Sequence, residues 1–142
     1  KQRPAGVTLE PQRSSKSLCQ HQGKAMFQLK PDLLLKHSGP TWVLDTKWKL
    51  LDASKPEMKS GLSQSDFYQL FAYGQRYLDG RGDMALIYPA TERFPEALEL
   101  FEFSSELRLW VLPFDLIKGE LRGIAKAGLP LIDPALALEE SA

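Results

Sequence analysis

Residues 27–51 read FQLKPDLLLKHSGPTWVLDTKWKLL. Two strongly apolar runs flank His37-Ser38-Gly39-Pro40, a stretch with the composition of a turn. The first run continues from Phe27 to Lys36. The second spans Thr41 to Leu50 and is rich in Trp and β-branched residues, so both are expected to be strands. Side chains alternate along a strand. Asp45 and Lys47 therefore point to one face, and Trp42, Leu44 and Trp48 to the other, as packing material. On the preceding strand Asp32 shares its face with Gln28 and Lys30, opposite Phe27, Leu29, Pro31 and Leu33. A hairpin closed through Gly39-Pro40 would set Asp32 beside Asp45.

Two carboxylates at one point repel, and each raises the pKa of the other. A divalent cation removes that cost, and oxygen ligands with open water positions suit Mg²⁺, with Mn²⁺ as a substitute. A phosphodiester held there would be polarised, and Lys47 is placed to steady the nucleophile or offset charge in the transition state. Pro31 has no N–H for a sheet ladder and marks a local break beside Asp32. An exposed Asp-x-Lys on a strand is common and is explained as readily by a surface ion pair. The setting tilts the reading toward chemistry, because these acids interrupt runs that are otherwise apolar on both sides, and such acids need a partner or a metal.

Outward from this pair, residues 18–30 read as two short strands turning near Gln22-Gly23-Lys24, and VTLEP (7–11) as another. Residues 52–62 form a polar loop. The period then changes. Phe67, Leu70, Phe71, Gly74, Tyr77 and Leu78 share one side of a helix over 64–79, with Asp66, Gln69, Tyr73 and Arg76 on an adjacent polar stripe. Ser63 or Ser65 suits its N-cap, Asp66 its first turn, and Gly80-Arg81-Gly82 its end. Strands follow at Met84–Tyr88, Leu98–Phe103 and Leu109–Phe114, then a short helix over Leu116–Ala127. One helix between strands implies a crossover on a mixed sheet, hence an α/β chain.

The chain has 142 residues, 43% hydrophobic and 25% charged, enough for one domain with its own core. No apolar run is long enough to cross a bilayer, and the N-terminus lacks the apolar stretch of a secretory signal. The single cysteine, Cys19, excludes a disulfide framework and makes a reducing cytoplasm the default compartment. The formal net charge is zero, yet residues 1–60 hold eleven Lys/Arg against five Asp/Glu, and residues 61–142 seven against thirteen. Either one basic face meets phosphates, or both ends are merely solvated. Lys30, Lys36 and Lys49 carry the same two readings; Lys49 shares the face of Asp45 and Lys47. His21 and His37 lie at turns without the partners a histidine metal site needs.

FQLKPDLLL (27–35), WVLDTKWKLL (42–51) and SQSDFYQLFAYGQRYL (63–78), followed by ALIYP (85–89) and LWVLPFDL (109–116), resemble the nuclease domain of the McrC family. That family supplies the cleavage subunit of 5-methylcytosine-specific restriction systems and belongs to the PD-(D/E)xK nucleases. The resemblance covers roughly residues 25–117. It implies a restriction-endonuclease-like core, a central mixed sheet flanked by helices, with 1–17 and 128–142 peripheral. It makes Asp32, Asp45 and the main-chain carbonyl of Thr46 metal ligands and Lys47 the catalytic lysine. Gln69 and Tyr73 match a Gln-x-x-x-Tyr motif that lines DNA or orients that lysine, and being four apart they share a helix face. It further implies a Mg²⁺-dependent endonuclease acting on double-stranded DNA, leaving a 5′-phosphate, with a GTP-hydrolysing McrB-type ring as partner and no membrane association. Many relatives carry an acid on a helix ahead of the first strand. The only acid before Asp32 is Glu10, in no convincing helix, so either that ligand is absent or, as is expected, the chain is part of a longer protein. Two alternatives stand beside this reading: a nuclease-like module that binds DNA or supports assembly without cutting, and another nuclease of the superfamily acting in recombination or repair.

Overall fold

The computed structural model describes residues 8–11, 16–36 and 41–129. The strands are β1 (Thr8–Pro11), β2 (Lys16–His21), β3 (Lys24–Leu29), β4 (Leu33–Lys36), β5 (Trp42–Thr46), β6 (Gly82–Pro89), β7 (Phe101–Glu102), β8 (Leu107–Asp115) and β9 (Glu120–Leu121). The helices are α1 (Gln64–Tyr77) and α2 (Ile124–Ala127), and a 3-10 helix covers Pro56–Gly61 within the loop after β5. Seven strands form one mixed sheet in the order β1-β4-β5-β6-β8-β7, with β9 paired to β8. β4 and β5 are antiparallel, while β5, β6 and β8 run parallel. Parallel neighbours need a crossover, and α1 supplies it between β5 and β6.

Apolar residues bury both sides of the central strands, as parallel sheets require. On one side Leu33, Leu35, Trp42, Leu44, Ala85, Ile87 and Leu112 pack with α2 and Leu129. On the other, Val43, Met84, Leu86, Tyr88, Leu109 and Val111 pack under Leu70, Tyr73 and Leu78 of the α1 segment. Only α1 is a helix of several turns among the described residues. The helices flanking both faces are thus less than expected, with four-residue α2 on the second side.

The period change at residue 64 marks α1 as anticipated. Ser63 is the N-cap, its Oγ accepting from the Asp66 N–H, and the Gly80 N–H closes the other end on the Gly74 carbonyl. Gly80 has φ +81°, a conformation that suits glycine. The Phe67 ring stands edge-on to Phe101 at 5.0 Å and Phe71 meets Phe103, pinning the helix to the region of β7.

Four expectations are corrected. The run from Phe27 to Lys36 is not one strand: β3 stops at Leu29 and pairs only with β2, and β4 begins at Leu33 in the other sheet. Pro31, lacking an N–H, sits at the break. The second run ends at Thr46 instead of Leu50. Trp48 consequently escapes the alternation that would have buried it, and is 77% exposed. Leu98–Phe103 contributes only the two-residue β7. Leu116–Ala127 is a turn, the two-residue β9 and α2, because Gly119 and Gly123 both adopt positive φ and interrupt a helix. The turn expected at His37–Pro40 and the tail beyond residue 129 lie outside the described residues.

Candidate functional site

The register Leu33↔Leu44 in the β4–β5 pair, carried one residue further, sets Asp32 opposite Asp45. Hydrogen bonds draw the two together. The Asp32 N–H donates to Asp45 Oδ1 at 3.0 Å, and the Thr46 N–H and hydroxyl both donate to Asp32 Oδ2, at 2.8 and 2.6 Å. The break after β3 makes this possible, since the Asp32 N–H that would otherwise serve a ladder binds a side chain instead. Asp45 pairs with Leu86 of β6, one of the residues packed under α1, so its side chain enters the layer between sheet and helix.

Lys47 follows on the same side, as strand alternation predicts, and its N–H still pairs with the Ile87 carbonyl at 2.9 Å. Its ammonium lies 3.0 Å from Asp45 Oδ2 and donates to Gln69 Oε1 at 2.6 Å. It is also 3.8 Å from Asp66 Oδ1. Asp66 in turn accepts from the Tyr88 hydroxyl at 3.4 Å. Asp45 is only 3% exposed. Burial pushes its carboxyl up to about 6; the bond from Lys47 opposes this and the nearby Asp32 charge adds to it. Tyr88 is also pushed above its usual range, first by burial and then by Asp66.

Asp32, Asp45, Lys47 and Gln69 therefore converge, and Thr46 is anchored on Asp32. Tyr73 lies near enough for the charges of Asp45 and Asp32 to add to the upward push that burial gives its hydroxyl, but its hydrogen bond goes elsewhere. It is 2% exposed, and its hydroxyl donates to the Lys30 carbonyl at 3.2 Å, holding the chain two residues ahead of Asp32. Lys49 lies past the end of β5, where the alternation that aligned it with Lys47 no longer applies. The residue missed from the sequence is Asp66. It stood on the polar stripe with Gln69, three residues apart and so on the same side of the helix, which was the available signal. A helix-borne acid thus reaches the site from α1, after β5. Glu10 lies in strand β1, opposite Leu34 in backbone register.

Among the described residues no group of three or more His, Cys, Asp or Glu side chains forms a closed cation cage. The oxygen donors on hand are two aspartates, one just ahead of β4 and one in β5, a set that suits a hard divalent cation retaining water and substrate oxygens. No helix is long and apolar enough to cross a membrane.

The model of the family described as McrBC 5-methylcytosine restriction system component matches residues 1–89. The chain belongs to this family. The match takes in every member of the Asp32/Asp45/Lys47/Asp66/Gln69 group and ends at the last residue of β6. Among solved structures, this McrBC-family chain is similar in fold to one from the refined half-complex of the tetradecameric assembly of Thermococcus gammatolerans McrB AAA+ hexamers with bound McrC. The TM-score is 0.57 at 16% identity, over 81% of this chain and 25% of that one. The chain thus spans about a quarter of that protein's length. No curated protein matches it.

Proposed function

We propose that this chain is the nuclease domain of a longer McrC-type subunit, a Mg²⁺-dependent endonuclease that cuts double-stranded DNA. The observation that carries this reading is the convergence of Asp32, Asp45 and Lys47, with the Lys47 ammonium 3.0 Å from Asp45 Oδ2. In the PD-(D/E)xK assignment, Asp32, Asp45 and the Thr46 main-chain carbonyl hold Mg²⁺, or Mn²⁺ in its place. The ion supplies Lewis acidity toward the phosphodiester and toward water.

The chain's own residues do the rest. Asp45 is buried, so its ionised form needs a positive partner, and Lys47 provides one. Facing a phosphodiester, the same ammonium offsets the negative charge that develops on the phosphoryl oxygens. Gln69 and Asp66 set its direction from the first two turns of α1. Tyr73 steadies the backbone that leads into Asp32. A cutting domain whose 18 Lys/Arg balance 18 Asp/Glu borrows much of its DNA affinity, which supports a cytoplasmic partner of the McrB type: a GTP-hydrolysing ring that reads 5-methylcytosine. That a solved structure similar in fold comes from an assembly of McrB hexamers with bound McrC favours this pairing.

The test is Asp45→Asn in the full-length protein assembled with its partner. DNA cleavage is expected to be lost while the complex still forms, and cutting at the wild-type rate overturns the assignment. The lysine seated on Asp45 also favours a second reading, a nuclease-like module that holds DNA without cutting. Calorimetric titration with Mn²⁺ separates the two, since a binding-only module takes up no metal at Asp32 and Asp45.

A further inference from the structure

The β2–β3 hairpin forms a two-stranded sheet of its own, apart from the seven-stranded one. Such ribbons are marginal by themselves, and this one is clamped at its base by α1. Arg76 Nε donates to the Ser17 carbonyl at 2.8 Å. The Tyr77 hydroxyl donates to the Leu29 carbonyl at 2.7 Å and accepts from the Lys16 N–H at 3.0 Å. Through Lys30 and Pro31 the hairpin leads directly into Asp32. The helix that aims Lys47 therefore also sets where the ribbon stands relative to the candidate site.

Two observations concern what the ribbon meets. Residues 16–30 contain Lys16, Lys24 and Lys30 with His21, and no Asp or Glu, in a chain that is neutral overall. The ribbon also exposes apolar side chains: Leu18, Met26 and Phe27, the last 68% exposed. Phe27 has φ +59°, and the ladder pairs Ser17↔Gln28 and Cys19↔Met26 flank a gap where Leu18 would meet it. A bulky residue in the left-handed region is strained. The exposed ring gains too little burial here to offset that strain. The kink holds an aromatic ring out from a basic ribbon whose base leads into Asp32.

We propose that the β2–β3 hairpin is a DNA-contacting ribbon, with Lys24 on a backbone phosphate and Phe27 against the sugar–base edge of the duplex next to the cut. This deepens, and rests on, the reading of Asp32/Asp45/Lys47 as a DNA-cutting site. A two-stranded ribbon fits the major groove, basic side chains bind by releasing counterions, and apolar wedges serve at base steps.

The experiment measures binding of a labelled 30-bp duplex to the full-length protein assembled with its partner, by fluorescence anisotropy in EDTA across a salt series. Lys24→Ala should lower the slope of log affinity against log salt by about 1. Phe27→Gly should weaken binding about tenfold at every salt concentration, the scale of one lost aromatic contact. Because glycine adopts φ +59° freely, that variant should melt no lower than wild type, which separates lost contact from lost fold. Wild-type affinity in both variants overturns the proposal, as does a wild-type protein with no affinity for the duplex. A changed oligomer mass with unchanged DNA affinity also overturns it and makes the ribbon an interface between copies. Asp45→Asn tests the parent reading separately, by the same anisotropy series in EDTA and by a cleavage assay of the assembled complex with Mg²⁺. It should lose cleavage and keep DNA affinity; if it cuts normally the site reading fails, while the salt slopes still decide the ribbon.

Discussion

Asp45 opposes the fold at neutral pH, and replacing it by Asn should make the chain more stable as it makes it inactive. The carboxyl of an unfolded chain titrates near 3.8; in the folded protein, burial first of all moves it up to about 6. Between these values the unfolded chain has released this proton and the folded chain retains it. The folded state then binds more protons, so stability falls as pH rises from about 4 to 6 and levels off above. Two pKa units correspond to about 3 kcal/mol. The attraction of Lys47 is already contained in that net shift. Asn carries no charge, and its Oδ1 can still accept the Asp32 N–H. Lys47 retains Gln69 and Asp66 as partners. Asp45→Asn should therefore raise stability by about 1–3 kcal/mol at pH 8 and by little at pH 4, a midpoint increase of roughly 3–10 °C at the higher pH. Thermal denaturation of both proteins from pH 4 to 8, without divalent ions, reads this directly. A variant less stable than wild type at pH 8, or a difference that does not change with pH, refutes the reasoning. Gaining stability by removing a site residue is the usual trade where a site holds a charge the fold disfavours.

Asp66→Ala removes the second carboxylate near Lys47 but leaves Gln69; cleavage by the assembled complex should slow about tenfold with KM nearly unchanged, and Asp66→Glu should restore part of it. An equal loss in both variants, or a change in KM alone, would argue that Asp66 acts elsewhere. Gly74→Ala improves intrinsic helix propensity by roughly 1 kcal/mol, yet the new methyl would meet the Leu107 side chain at 2.8 Å and Met84 Sδ at 3.1 Å in a packed core. Net destabilisation of about 1–2 kcal/mol is expected from urea denaturation, and a stabilised variant would show that the α1–β8 contact yields more easily than a packed core should.

Residues close along the chain carried much of this architecture. The two-residue period expected over Thr41–Leu50 put Asp45 and Lys47 on one side before any strand had a neighbour. Gln22-Gly23 marked the β2–β3 turn, and the switch to helical spacing with Ser63 ahead of it marked α1. The juxtaposition of Asp32 and Asp45 was legible too, because antiparallel neighbours so close in sequence leave few registers. Each of these is local: a side chain's direction follows from its position in a repeating backbone, and a cap from the next three residues.

Tertiary structure decided the rest. The order β5-β6-β8 depends on how α1 crosses the sheet, and no short-range pattern contains it. That crossover lays the start of α1 beside the end of β5, which is why Asp66 and Gln69 meet Lys47 although 19 and 22 positions separate them in sequence. It turned Tyr73 into a buried prop beneath Lys30, and it left Trp48 outside the core. The split of Phe27–Lys36 into two sheets was equally invisible in composition. Both halves are apolar enough to be strands, and only the competition between pairing with β2 and pairing with β5 determines where one sheet ends and the other begins. Alone, Asp32, Asp45 and Lys47 are a sparse pattern; the helix packed over them supplies the partners that make them a candidate site.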